Sequence, residues 1–351
     1  MSTPQDRPIP FWRSGRIHGE SLLFIEPAAD MPATSCLLFP PLGPVSLQSA
    51  TGDIDFVEHR DFIVDTTSGV LTRTAGSRIP VAGLAELHPS IDPDGSGFMH
   101  IRDNPATFLL VDESGLFHRR QASASYAFDP ARWTGYTTAF AGASMPGTLE
   151  RLRRRDPLTL CVIGDSISEG YNASGFIGVP PFQPPYATLV SNGLEQAYQA
   201  PVTLRNLALA GWTADNGAGA VDDVAAVEPH LVVIAFGMND AGYAAEPHYA
   251  ANVRAMVEGI RQASPRSEFV LVSSMLPNPD WHYPQAERFA DYRQGLTDLC
   301  GPGIILADMT TLWADVMARK SPYDLTGNGI NHPNDFGHRL YAQAILSLLI
   351  E

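Results

Sequence analysis

The apolar run Leu158-Thr-Leu-Cys-Val-Ile163 is cut off sharply by Gly164-Asp-Ser166. A serine placed where a buried strand gives way to a helix stands at the carboxyl edge of a parallel sheet. There, helix-start amides can meet developing negative charge. Ser166 is therefore a candidate nucleophile, although Asp165 or Ser166 would serve equally as a plain helix cap on this stretch alone. Three further segments bring polar residues to comparable places: Asn206-Leu-Ala-Leu-Ala-Gly-Trp-Thr213 with Gly211 in a turn, Gly237-Met-Asn-Asp240, and Asn328-Gly-Ile-Asn-His-Pro-Asn-Asp-Phe-Gly-His338. Acyl transfer needs a nucleophile, a base to deprotonate it and donors for the tetrahedral oxyanion. Ser166 supplies the hydroxyl and His332 can take its proton. The backbone N–H groups of Ser166 and Gly211, with the Asn239 amide, make three oxyanion donors. At 211 an apolar side chain would crowd the backbone against the substrate, which gives glycine a reason to be there.

The elements that would hold these residues follow from hydrophobic periodicity. From residue 158 onward strands and helices alternate, with strands expected at 158–163, 202–207, 231–236, 268–274 and 303–307. Helical stripes lie between them: Tyr186, Leu189, Val190, Ala197 and Tyr198; Tyr249, Val253, Met256, Val257 and Ile260; Phe289, Tyr292, Leu296 and Leu299. The last helix puts Phe336, Leu340, Ala344 and Leu348 on one ridge, with Tyr341, Ile345 and Leu349 beside it. Five strands with right-handed crossovers give a three-layer α/β/α domain with a five-stranded parallel sheet. Its ligands bind beyond the carboxyl ends of the strands.

Residues 1–140 read differently. Short apolar runs at 21–25, 35–39, 61–65, 69–73 and 107–111 are separated by turn formers, among them Thr67-Ser-Gly69, Asp92-Pro-Asp-Gly95 and Glu113-Ser-Gly115. This punctuation predicts an all-β sandwich domain with no competing helical pattern. Residues 141–157 read as a linker, with Arg151-Leu-Arg-Arg-Arg155 a solvated basic face, and 158–351 as the α/β domain.

The composition is that of a globular protein: 351 residues, 44% hydrophobic and 17% charged, with a net charge of −15. That charge argues against nucleic acid or an anionic membrane as the partner. The three cysteines, Cys36, Cys161 and Cys300, show neither disulfide nor zinc spacing. Met1-Ser-Thr-Pro-Gln-Asp-Arg-Pro8 has no leader pattern and no run is long enough to span a membrane, so a cytoplasmic protein is expected.

Four blocks in this order resemble the SGNH hydrolases of the GDSL esterase/lipase superfamily: Gly164-Asp-Ser-Ile-Ser168, Gly211 after Asn206, Gly237-Met-Asn-Asp240 and His332-Pro-Asn-Asp335. The resemblance covers about residues 157–351. It implies an SGNH-type, flavodoxin-like fold and ester hydrolysis through a serine acyl-enzyme, without metal or organic cofactor. Ser168 stands where a G-x-S-x-G elbow would have glycine, which disfavours an α/β-hydrolase. One position departs from the family, whose pattern has an aspartate three residues before the histidine; here that residue is Gly329. A triad needs a carboxylate to hold the imidazole. Asp324, folding back across the glycines of 326–330, is the first choice. Alternatively Asn328 or a backbone carbonyl orients the ring and leaves a Ser–His dyad, as in some carbohydrate esterases of the superfamily with an N-terminal β-sandwich, which the layout resembles. Asp335 is expected to cap the last helix, His338 to be structural or exposed rather than a second base, and Asp165 and Asn206 to be buried anchors. Asp240 is read as support for Asn239 or a cap, and His282 as a loop histidine in solvent or at the pocket. The stiff stretch 171–186 either walls the pocket, with Tyr171 and Asn172 as substrate-binding residues, or is a packed connection without substrate contact.

The leading reading is a serine esterase removing short acyl groups, acetyl foremost, from a carbohydrate, with a small-molecule or oligosaccharide ester as its partner. A thioesterase or lipase of the same superfamily is the alternative in kind. A noncatalytic glycan-binding protein with a degenerate hydrolase domain is the alternative of another class.

Overall fold

The computed structural model describes residues 9–28, 31–93 and 95–351. Met1–Pro8, read above for a leader, and Asp94 of the predicted turn at 92–95 lie outside the described residues.

The C-terminal half is built on five parallel strands in the order Val202–Asn206, Leu158–Gly164, Leu231–Ala235, Glu268–Val272, Ile304–Ala307. Leu231–Ala235 and Glu268–Val272 are buried at every residue, as near-continuous apolar runs between two helical layers must be. The register aligns Val162 with Asn206 and Gly164 with Ala235, so the chain leaves three adjacent strands at nearly one level. This alignment brings the Ser166, Gly211 and Asn239 segments to one edge. The predicted stripe of helix Glu246–Ala263 is buried throughout, at Tyr249, Val253, Met256, Val257 and Ile260. Leu189, Ala197, Tyr198 and Leu299 of the other stripes are only half-buried. Helix Asp335–Leu349 is buried around almost its whole circumference. It contacts helix Tyr186–Tyr198, strand Ile304–Ala307 and strand Arg16–Leu23 of the N-terminal half, so both of its ridges face core.

The N-terminal half forms a sandwich. One sheet runs Arg16–Leu23, Gln121–Ala127, Ser46–Ser49, Asp55–Phe56; the other runs Phe62–Val64, Val70–Arg73, Thr34–Cys36, Ile25–Glu26, Ala82–Gly83. A separate hairpin, His100–Ile101 with Asn104–Phe108, leads into the loop that carries Glu113. Short helices Phe11–Ser14, Leu84–Leu87 and Leu116–Arg120 interrupt the β pattern, where the sequence predicted none. Within 141–157 lies helix Pro146–Arg153. Its Leu149 and Leu152 are buried, and its Gly147 and Thr148 N–H groups donate to the Glu268 carboxylate at 2.9 and 2.7 Å. Arg153, Arg154 and Arg155 face solvent.

One apolar cluster runs from Leu22, Phe39 and Leu47 of the sandwich into Leu160, Val233 and Leu340. The two halves are also joined by a buried ion network, in which Lys320 Nζ lies 2.8 Å from Glu20 Oε1 and 3.3 Å from Asp324 Oδ2. No helix among the described residues is long and apolar enough to cross a membrane.

Candidate active site

The turn after the first parallel strand is fixed by Asp165, whose carboxylate accepts the Ile167 N–H at 3.0 Å and caps the short helix Ser166–Glu169. Burial, with Asp240 nearby, pushes the Asp165 carboxyl up to about 7. Ser166 sits at the first position of this helix, 6% exposed, with Oγ 2.8 Å from His332 Nε2. Asn206 is exposed rather than buried, yet it anchors the turn as expected: its amide donates to the Ser168 carbonyl at 2.8 Å.

Gly211 adopts φ +79, a left-handed conformation, and a Cβ there would meet nothing within 4 Å. The left-handed backbone by itself favours glycine at this position. The Asn239 amide donates to the Trp212 carbonyl at 2.8 Å, which ties the third strand's loop to the second's and leaves its other N–H available. Asp240 strengthens the same tie: its Oδ1 accepts the Ala214 N–H at 3.0 Å, where helix Ala214–Gly219 begins. Its Oδ2 is buried without a partner, and burial pushes the carboxyl up to about 6.

His332 lies in the loop before the last helix. Asn328 organises that loop, its Oδ1 accepting the N–H groups of Ile330, Asn331 and His332 at 3.0, 3.0 and 3.1 Å. The acid at the ring is not Asp324. Asp324 is buried in the ion network, where its carboxylate accepts the Leu23 N–H at 2.6 Å and the Ser321 N–H at 3.2 Å beside Lys320. The carboxylate facing His332 is Glu113, with Oε1 2.9 Å from Nδ1. A carboxylate here can only accept, so Nδ1 carries the proton and Nε2 is free to accept from the Ser166 hydroxyl.

Glu113 comes from the N-terminal half, and Gly329 explains how it reaches the ring. Gly329 has φ +84, and a Cβ added there would lie 2.6 Å from Phe117 Cζ and 2.8 Å from the Leu110 carbonyl oxygen. The segment carrying Glu113 packs directly on the position where the family pattern has aspartate. Asn328 Nδ2 donates to Glu113 Oε1 at 2.9 Å and Asn172 Nδ2 donates to Oε2. Burial alone would raise the Glu113 carboxyl, but the hydrogen bond and charge of His332 with the two amides outweigh it and hold the carboxyl below the usual glutamate value.

The remaining candidates divide. Tyr171 is half-buried, its ring 5.0 Å from the His332 ring and 4.9 Å from exposed Phe176. Asn172, expected to face substrate, is 2% exposed and turned onto Glu113. The last helix is capped by Asn334, which accepts the Gly337 N–H at 3.1 Å, and not by Asp335. Asp335 instead accepts the Ser174 N–H at 2.7 Å and so pins the 171–186 stretch. His338 is buried and structural: Nε2 meets the Tyr171 carbonyl at 3.0 Å, and burial pushes it down to about 4. His282 is half-buried and stacks on His100 with ring centroids 3.5 Å apart.

Glu113 was missed because its turn, 113–115, reads as punctuation between strands. The one pointer to it is glycine in place of aspartate at 329, which leaves room for a carboxylate from elsewhere as well as for a dyad. Among the described residues no group of three or more His, Cys, Asp or Glu side chains could hold a metal ion.

Compared with known proteins, residues 162–340 match the sequence model of the GDSL-like Lipase/Acylhydrolase family. No curated protein sequence matches the chain. Among solved structures, a two-domain esterase (CEX) active on acetylated mannans is similar at 22% identity and TM-score 0.49, over 61% of this chain and 54% of its own. An acetylxylan esterase from Geobacillus stearothermophilus is similar at 20% identity and TM-score 0.44, over 54% of this chain and 92% of its own. A lipase from a goat rumen metagenome is similar at 18% identity and TM-score 0.44, over 54% and 96%. The chain thus spans about half the length of the two-domain esterase.

Proposed function

The chain belongs to the GDSL-like lipase/acylhydrolase family, and from that premise we propose that it is a serine esterase removing short acyl groups, acetyl foremost, from a carbohydrate. The observation that carries this reading is the continuous path from Ser166 Oγ to His332 Nε2 at 2.8 Å and from His332 Nδ1 to Glu113 Oε1 at 2.9 Å. Ser166 Oγ attacks the ester carbonyl carbon as His332 Nε2 takes its proton. The resulting imidazolium is stabilised by Glu113, which stays ionised. The oxyanion accepts from the N–H groups of Ser166 and Gly211 and from the Asn239 amide. On collapse, His332 returns the proton to the departing sugar oxygen and leaves an acyl-Ser166. A water then gives its proton to His332 and attacks the acyl carbon, and Ser166 leaves as the protonated alcohol.

Support for a sugar ester comes from flat faces beside the site. Tyr171 lies against His332, and Phe176, 42% exposed, packs on Tyr171 in a stretch pinned by Asp335. Such faces suit a sugar ring. No long apolar lid occurs in the sequence, which favours a short acyl group over a lipid chain.

Aryl esters of increasing acyl length, assayed beside acetylated sugars, test the reading. We expect turnover to be highest for acetate and to be abolished in Ser166→Ala and in His332→Ala. A serine-directed phosphonate should label the wild type and not Ser166→Ala. Retained turnover in Ser166→Ala, or a preference for long acyl chains, would overturn it.

A further inference from the structure

Building on the esterase reading, we propose that Asn172 is a positioning residue for the acid: its amide fixes the Glu113 carboxylate against His332. The Glu113 side chain is 45% exposed, so water competes for its oxygens and three torsions are free to carry it away from the ring. Oε1 is engaged by His332 Nδ1 and Asn328 Nδ2, both at 2.9 Å. Oε2 is engaged by Asn172. Without that donor the carboxylate is held on one oxygen only.

The position is shaped around this contact. Asn172 has φ +63, a left-handed conformation in which asparagine is enriched. Gly327 makes room for it, since a Cβ there would lie 2.5 Å from Asn172 Cβ. The amide's Oδ1 is buried with no partner. An unsatisfied buried oxygen is rare enough to require a reason. Turning the NH2 toward a carboxylate supplies one, because the flipped amide would set oxygen against oxygen. A neutral donor also preserves the negative charge that His332 needs opposite Nδ1, which a lysine or arginine would cancel.

Asn172 lies three residues after helix Ser166–Glu169, and Asn328 lies in the His332 loop. The nucleophile's segment and the base's segment each contribute one donor to an acid delivered by the sandwich half. Docking of that half is thereby a condition of turnover. The other ionisable groups near the pair are Tyr171, ring to ring with His332, and buried His338 behind it. Asp112, next to Glu113, is committed to the N–H groups of Ser114 and Leu116 at 2.9 Å each.

Asn172→Gly tests this, because glycine keeps the left-handed backbone and removes the amide. With an aryl acetate, kcat should fall about tenfold to hundredfold with KM unchanged. The acid limb of the kcat/KM profile should move to lower pH, as in Glu113→Gln, because an imidazole that loses a facing carboxylate gives up its proton more easily. In a Glu113→Gln background the same change should cost no more than about twofold, the mark of two residues acting through one contact. Asn172→Asp is the second variant. It should be poorer than glycine at pH 7, with a deficit that narrows as pH falls and the new carboxyl takes up a proton to donate. Equal losses from Asn172→Gly in both backgrounds, or a lower kcat with an unmoved acid limb, would overturn the proposal. Serine labelling keeps the two readings apart: an unlabelled Ser166 counts against the esterase, whereas a labelled Ser166 with additive losses counts against Asn172 alone.

Discussion

At the scale of single residues, the site rests on two buried carboxyl groups as much as on Ser166. Asp165 caps the Ser166 helix and Asp240 holds the start of helix Ala214–Gly219, and burial raises both. An unfolded aspartate releases its proton near pH 4, whereas folded Asp165 keeps it to about 7. Between those values the unfolded state binds fewer protons, so this group makes stability fall as pH rises from about 4 to 7 and level off above. Asn at 165 keeps the capping oxygen and removes the titration. Urea unfolding should therefore show Asp165→Asn gaining on the wild type across that window, by up to a few kcal/mol. A stability difference that does not change with pH would contradict this. Ser166, Gly211, Asn239 and His332 were legible in the sequence because each follows an apolar run or precedes a helix whose pattern is strong. Asn172 was found but given the wrong partner, since nothing in its neighbours along the chain reveals what packs over it.

Among the elements, strand Gln121–Ala127 lies at the centre of the sandwich and was not read. Its residues are mostly alanine and serine, small side chains with little β preference, and only pairing with Arg16–Leu23 and Ser46–Ser49 makes them a strand. The five parallel strands, by contrast, are continuous apolar runs. Asp324 looked available for catalysis because the glycines of 326–330 suggested a flexible return. In fact Thr326 bridges Pro333 and the Gly327 N–H donates to the His332 carbonyl at 2.9 Å, which closes the loop on itself. What Asp324 does is compensate Lys320 between the two halves. Lys320→Met would leave Glu20 and Asp324 buried without their cation and should cost about 3–5 kcal/mol. Thermal unfolding would register it as a lower Tm, while the folded fraction keeps wild-type kcat below that Tm. A Tm equal to the wild type's would show that the network is not what joins the halves.

Over the whole molecule, one continuous core joins the sandwich to the α/β half, and the site is completed across that junction. Glu113 lies 219 residues from His332 in sequence. Motif spacing surveys a few neighbouring positions, so it could register the missing carboxylate at 329 but not its replacement. The central claim is that the sandwich supplies the acid, and the most direct test compares kcat for an aryl acetate in Glu113→Gln and Asp324→Asn, each with its melting curve. The account predicts that Glu113→Gln loses about 10²–10⁴ in kcat while remaining folded, and that Asp324→Asn keeps kcat within about twofold but melts earlier. Near-normal turnover in Glu113→Gln, with turnover abolished in a folded Asp324→Asn, would contradict it.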